Sequence, residues 1–96
     1  MSSDQKQIII SNIITKDNRP LNISMDKTIK ELKREIEILF KLNYSLSDIT
    51  IQYKNPYMRT PKTISQDLEN KRLSEIPIKT DAFIYFGKEK NQGGSK

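Results

Sequence analysis

Residues 28–40, with the sequence TIKELKREIEILF, decide how this chain folds. Thr28 and Glu31 have the spacing of a helix-capping box, in which each side chain accepts a hydrogen bond from the other residue's backbone N–H. Apolar residues then recur within a stripe about 100° wide on a helical wheel, at Ile29, Leu32, Ile36, Leu39 and Phe40. The other side of the wheel is polar, at Lys30, Lys33, Arg34, Glu37 and Lys41. The pattern predicts one helix over about residues 28–43 that packs through its apolar stripe and exposes Ile38.

Two strand patterns precede this helix. Residues 7–14 (QIIISNII) are rich in β-branched side chains, which is typical of a strand. Residues 21–25 (LNISM) alternate between apolar and polar, which predicts a strand with one buried face. Residues 15–19 (TKDNR) lie between them and supply Asp and Asn for a turn. The sequence therefore predicts a hairpin on which the helix packs.

The second half of the chain adds strands to this hairpin. Residues 49–53 (ITIQY) and 82–86 (AFIYF) have the composition and alternation of two further strands. The polar residues 63–72 between them favour a short edge strand followed by a turn, and residues 73–78 (LSEIPI) favour a tight turn. The predicted fold class is α+β, with one helix packed on a four- to five-stranded mixed sheet.

The composition excludes several classes of function. The chain has 96 residues, enough for one domain, and it contains neither Cys nor His. A disulfide framework, a thiolate nucleophile, a Cys-based zinc site and the usual general base near neutral pH are therefore absent. We expect no catalytic residue, no metal site and no cofactor.

The location and oligomeric state follow from the distribution of apolar residues. The longest unbroken apolar run is the five residues 82–86 (AFIYF), and like the three isoleucines at positions 8–10 it is too short to cross a bilayer. No basic start precedes an apolar stretch and a cleavage site, as it would in a secretory leader. We expect a cytoplasmic monomer that does not bind membranes, and a nuclear location stays open if the source is eukaryotic.

A basic segment follows the third strand. The chain carries 17 Lys and Arg against 12 Asp and Glu, a net charge of +5. Residues 54–62 (KNPYMRTPK) hold three of these bases, two prolines and no acid. We call this segment the basic loop, and its bases are Lys54, Arg59 and Lys62. With Tyr57 it has the composition of a phosphate-and-stacking surface, but so few bases neutralise few phosphates. We therefore do not expect nucleic acid as a partner; an acidic protein surface is the alternative.

Three local patterns resemble the ubiquitin-like family. Residues 28–36 match the family's helix start, T-I-x-x-[VL]-K-x-x-I, and residues 73–78 match its L-S-[DE]-x-x-I turn. Ile84 and Phe86 follow at the core positions of the last strand. Gly93 and Gly94 fall within about one residue of the place where ubiquitin-like modifiers carry their terminal diglycine. The resemblance covers residues 7–94 apart from the basic loop, and it implies the β-grasp fold.

Two departures from the family bear on binding. When Ile51 and Leu73 are aligned with the core positions of ubiquitin's third strand and turn, about nine extra residues remain here. We expect them to form the basic loop, which is a feature of this chain. The apolar patch that ubiquitin presents to most receptors is also missing, since its central isoleucine position is Thr50 or Gln52 and its last-strand valine position is Gly87. We expect a different partner surface, composed of Thr50, Gln52, Tyr53, Phe83 and Tyr85.

The resemblance implies a protein modifier. On this interpretation the chain is a precursor, a protease removes Ser95 and Lys96, and the carboxylate of Gly94 is conjugated to target amines. Gly93 and Gly94 lack a Cβ, so their backbone can enter a narrow enzyme channel. The implied partners are an activating enzyme, a conjugating enzyme, the processing protease and the target proteins.

The domain boundaries follow from the same alignment. Residues 1–6 are expected to form a disordered N-terminus. Residues 7–87 form the ubiquitin-like domain, with the basic loop at about 54–63, and residues 88–96 form a flexible diglycine tail.

Two other functions stay open. The domain is alternatively a non-covalent docking module that is never conjugated, in which case removal of residues 93–96 should change nothing. A sulfur carrier with a thiocarboxylate on its last glycine is a third possibility, although such carriers usually end at the diglycine.

Overall fold

A computed structural model describes residues 5–47 and 49–87 of the chain. One helix packs on a mixed sheet, and the prediction of an α+β fold is confirmed. The elements are β1 (Gln5–Asn12), β2 (Asp17–Ser24), α1 (Ile29–Phe40), β3 (Ile51–Lys54), β4 (Lys62–Ile64) and β5 (Phe83–Phe86), with short 3-10 turns at Gln66–Leu68 and Leu73–Glu75. The strand order is β2-β1-β5-β3-β4, with β1 and β5 parallel and the other neighbours antiparallel.

The helix begins as the sequence predicts. Thr28 Oγ1 accepts from the N–H of Glu31 at 3.2 Å, and the Glu31 carboxylate accepts from the N–H of Thr28 at 2.9 Å. This second hydrogen bond, from the Thr28 backbone, is the main cause that holds the pKa of Glu31 below its usual value. The helix ends at Phe40, three residues earlier than predicted, because Lys41 adopts a left-handed conformation with φ of 51° and closes the last turn.

One residue assigned to the polar side of the helix is buried. Lys33 is only 3% exposed, and its ammonium group lies 3.0 Å from the carboxylate of Glu69. The prediction of a solvent-exposed Lys33 is therefore wrong, because the segment that follows β4 returns to the helix and covers it. Ile38 is 68% exposed, as predicted.

The first hairpin forms with boundaries that differ from the prediction. β1 begins at Gln5, so residues 5 and 6 belong to the strand and not to a disordered N-terminus. It ends at Asn12, whose side-chain carbonyl accepts from the N–H groups of Ile14 and Thr15 at 2.9 and 3.2 Å. Because this side chain starts the turn, Ile13 and Ile14 lie outside the strand, and β2 begins at Asp17.

The core lies between α1 and one face of the sheet. Ile8 and Ile10 of β1, Ile84 and Phe86 of β5 and Ile36 of the helix are all at most 1% exposed. Burial of each such side chain contributes about 1.5–3 kcal/mol. No helix in the described part of the chain is long and apolar enough to cross a membrane. The predicted tail, residues 88–96, lies outside the described residues, and with it Gly93, Gly94, Ser95 and Lys96.

Candidate docking surface

The sheet has an outer face, the side turned away from α1. Alternate residues of each strand point to this side, since their neighbours are buried against the helix. The outward positions are Gln5, Gln7, Ile9 and Ser11 on β1, Asn18, Pro20, Asn22 and Ser24 on β2, Phe83 and Tyr85 on β5, Gln52 and Lys54 on β3, and Thr63 on β4. Lys54 is the only charged residue among these positions of the described strands, although 30% of the whole chain is charged.

Two aromatic side chains occupy the middle of this face, because β5 is the central strand. The rings of Phe83 and Tyr85 stack with centroids 5.9 Å apart and planes 11° from parallel. Both side chains are only partly buried. Ile9 and Lys54 flank Phe83 across the neighbouring strands, so the aromatic pair continues into an apolar side on β1 and a basic side on β3.

The structure places only three of the five predicted partner residues together on a strand face. Gln52 lies beside Tyr85 and donates from its amide nitrogen to Thr63 Oγ1 at 3.3 Å. Tyr53, in contrast, is 5% exposed and pairs with Ile84 on the core side, so its assignment to the surface is wrong. The period-2 alternation that buries Ile51 also buries Tyr53. Thr50 is exposed but precedes β3.

The basic loop is held by one buried side chain. Asn55 is 1% exposed, and its amide nitrogen donates to the carbonyl of Pro77 at 2.7 Å and to the hydroxyl of Tyr57 at 3.2 Å. Its side-chain oxygen accepts from the N–H of Lys79 at 2.9 Å. The backbone carbonyl of Asn55 accepts from the N–H of Met58 at 2.9 Å, and this bond closes a β-turn. This side chain therefore ties the loop to the segment that leads into β5.

The bases of this loop are at least partly exposed. Arg59 and Lys62 are exposed and Lys54 is partly exposed, and none of the three forms an ion pair within the described part of the chain. Tyr57 is 70% exposed. Lys54 and Lys62 are the ends of β3 and β4, so the connecting segment itself covers residues 55–61.

Sequence reasoning missed two features of the surface. The first is Asn55, which the Asn-Pro dipeptide at the start of a turn would have indicated. The second is an apolar spot formed by Ile13 and Ile14, which are 44% and 60% exposed. They cover Gly87, where a Cβ would lie 2.4 Å from Ile13 Cγ1.

Among residues 5–47 and 49–87, no three Asp or Glu side chains come close enough to hold a metal ion. The pKa of Glu31 is lowered mainly by its hydrogen bond from the Thr28 backbone in the helix cap. The outer face combines the aromatic pair of Phe83 and Tyr85 with one cation, Lys54, at the end of β3.

Comparison with known proteins gives the fold its name. No family model matches the sequence, and no curated protein is similar to it. The C-terminal ubiquitin-like domain of mouse tubulin-specific chaperone e superposes with a TM-score of 0.75 and 12% identity, over 98% of this chain and 96% of that one. A ubiquitin-like domain of tubulin-binding cofactor B gives 0.72 and 13%, over 90% and 91%. Trypanosoma brucei tubulin-binding cofactor B gives 0.71 and 12%, over 93% and 100%. The chain therefore has the ubiquitin-like β-grasp fold.

Proposed function

We propose that this chain is a non-covalent docking module that binds a partner protein through the outer face of its sheet. The observation that carries the proposal is the near absence of charge from that face, together with the stacked pair of Phe83 and Tyr85 at its centre. Interface centres are depleted of charged residues and enriched in aromatic ones. Tyrosine is a frequent anchor of binding energy, and a ring held by its neighbour loses little freedom on binding.

The edge of the sheet is less suited to binding than its face. β2 forms one open edge, and Pro20 lies in the middle of this strand. Its partner Ile9 directs its N–H to Ala82 on the other side, so the nitrogen of Pro20 faces the open edge and offers no donor there. A proline at such a position opposes the addition of another strand. The face is therefore the better candidate on this half of the sheet.

The similar structures support docking over conjugation. Two of them are ubiquitin-like domains of a tubulin-specific chaperone and of a tubulin-binding cofactor, and thus parts of larger proteins. We infer that the present fold serves in the same manner, as a recognition domain whose partner is held without a covalent bond.

Conjugation is the second candidate, and Gly93 and Gly94 in the sequence are what favour it. On this hypothesis the chain is trimmed after Gly94 and attached to target amines. The two candidates differ in one requirement: conjugation needs the diglycine, whereas docking needs the sheet face.

The test compares three tagged forms of the full chain in its own host. These are the wild type, a form without residues 93–96, and the double variant Phe83→Gln, Tyr85→Gln. We expect partner proteins to co-purify with the wild type under native conditions and to be lost on denaturation. The shortened form should retain these partners, and the double variant should lose them. Ile38→Gln is the matched control, because it replaces an exposed apolar side chain on the helix. A ladder that survives denaturation and disappears in the shortened form would establish conjugation instead.

Loss of binding in the double variant must be separated from loss of folding. Gln52→Arg serves this purpose, since it adds a charge to the face and removes no buried group. Circular dichroism checks that both variants retain the wild-type fold. If Gln52→Arg and the double variant both keep every native partner, the face is not the docking surface.

A further inference from the structure

We propose that the basic loop is a preorganised binding site for an acidic segment of the partner protein, with Tyr57 as its anchor. This inference rests on the proposed docking function and assigns the chemistry of the partner. It concerns the seven residues 55–61 that connect β3 to β4, together with the two lysines that flank them.

The loop is fixed before any partner arrives. Pro56 occupies the second position of the turn that Asn55 and Met58 close, where its restricted φ suits the turn. The side chain of Asn55 holds the hydroxyl of Tyr57 and the backbone at Pro77 and Lys79. Because these bonds already restrict the loop, binding loses less conformational entropy than it would for a free loop.

The side chain that the turn presents is suited to an interface. Tyr57 is 70% exposed, although it is one of only seven aromatic residues in the chain. Its hydroxyl accepts a hydrogen bond from Asn55 and keeps its own proton for a carboxylate or carbonyl of a partner. A large exposed ring whose position is fixed by the protein is the kind of residue on which binding energy concentrates.

The surrounding charge determines what the ring meets. Arg59, Lys54 and Lys62 make no ion pair among the described residues, and residues 49–66 contain no acid at all. Unpaired cations next to an exposed ring attract carboxylates and repel other basic surfaces. Charge complementarity therefore selects an acidic segment.

The loop begins at the edge of the sheet face. Lys54 is its first residue and lies directly across from Phe83, whereas Lys62 pairs with Tyr53 and points to the opposite side of the sheet. Five strands about 4.8 Å apart make the face roughly 20 Å wide, and a square of this width covers about 400 Å². That is about half of what a partner buries in an interface of standard size. A partner that also contacts the loop buries more area than the face alone provides.

A protein fits this surface better than a nucleic acid does. Nucleic-acid affinity comes from many phosphate contacts, whereas beyond the basic loop the outer face carries no other charge on its described strand positions. An acidic peptide needs only a few cations, followed by neutral surface for its remaining side chains.

The test selects peptides from a random library of 12-residue sequences displayed on phage, with the folded full chain as bait. We expect enrichment of peptides rich in Asp and Glu. One enriched peptide is then synthesised and titrated against the wild type and two triple variants. The first replaces Lys54, Arg59 and Lys62 with Gln. The control replaces Lys30, Arg34 and Lys41 with Gln, which removes the same charge from exposed positions on and next to the helix.

We expect the loop variant to bind at least tenfold more weakly and the helix control to match the wild type within twofold. Tyr57→Ala should weaken binding to a similar degree, and Tyr57→Phe by much less, because the ring is retained. If both triple variants lose affinity equally, the peptide senses only net charge and the assignment is wrong. Tighter binding of a single-stranded oligothymidine of the same charge, dependent on Tyr57, would replace the acidic protein with a nucleic acid.

The two proposals fail in different ways. Selection of neutral peptides that need Phe83 and Tyr85 but not the loop would overturn the present inference and leave docking through the face intact. If acidic peptides require the loop but the cellular partners still bind when Phe83 and Tyr85 are replaced, docking through the sheet face is refuted and the assignment of the loop stands.

Discussion

Replacement of Asn55 by alanine should be among the most damaging single changes outside the apolar core. The substitution removes the bonds to the Pro77 carbonyl and the Lys79 N–H, at 2.7 and 2.9 Å, and leaves both backbone groups without this partner. A net hydrogen bond contributes about 1 kcal/mol, and an unsatisfied buried partner costs about 1–3 kcal/mol. The third bond, to the exposed Tyr57, adds a few tenths. We expect the free energy of unfolding to fall by about 2–3 kcal/mol.

The assay is urea denaturation followed by far-ultraviolet circular dichroism, since the chain has no tryptophan. In a domain of this size the expected loss lowers the melting temperature by about 10–20 °C. Asn22→Ala is the matched control, because Asn22 is exposed on the outer face and should change stability by less than about 0.5 kcal/mol. If Asn55→Ala behaves like this control, the side chain does not hold the loop, and the argument that the loop is preorganised fails with it.

Three further changes test separate parts of the fold. Glu69→Ala leaves the ammonium of Lys33 buried without its partner, and urea denaturation should show a free energy of unfolding lower by about 2–3 kcal/mol. This is less than the full cost of breaking a buried pair, because Glu69 is partly exposed. The double variant Glu69→Ala, Lys33→Met should regain most of the lost stability. Glu31→Gln keeps the bond to the helix cap but not its charge. Because the fold lowers the pKa of Glu31, the charged carboxylate stabilises the fold at neutral pH, and this contribution is lost as the pH falls through the lowered pKa. The difference in the free energy of unfolding between wild type and variant should therefore shrink below about pH 5. Equal stability of the two at all pH values would refute this role of Glu31. Gly87→Val places a side chain against Ile13 and should lower the free energy of unfolding by about 1–3 kcal/mol. Ile13→Ala in the same chain should relieve this clash. A Gly87→Val variant as stable as the wild type would show that Ile13 moves freely.

The helix could be predicted because the interactions that start it are local. The capping box joins Thr28 and Glu31, three positions apart, and the apolar stripe repeats within a dozen residues. Lys33 could not be assigned in the same way. Its partner Glu69 lies 36 positions along the chain, and periodicity within the helix carries no information about a segment that returns from so far away.

The candidate site was predictable only in part for the same reason. Alternation along β5 places Phe83 and Tyr85 on one side, and this was evident from the sequence. That their side of the sheet is almost without charge depends on the pairing of five strands, and strand order and register are not local properties. The error at Tyr53 was avoidable, since alternation from Ile51 already buries it.

The construction of the basic loop explains how this fold can carry a binding site there without loss of its core. Closure entropy rises slowly with loop length, so a seven-residue connection between β3 and β4 costs little more stability than a shorter one. The two strands that the loop joins still bury Ile51 and Ile64 in the core. What the loop residues need is a connection that prevents them from moving freely, and Asn55 supplies it through a backbone segment next to β5. The loop begins at Lys54, which lies across from Phe83, so a single buried amide both stabilises the loop and fixes its start beside the aromatic face.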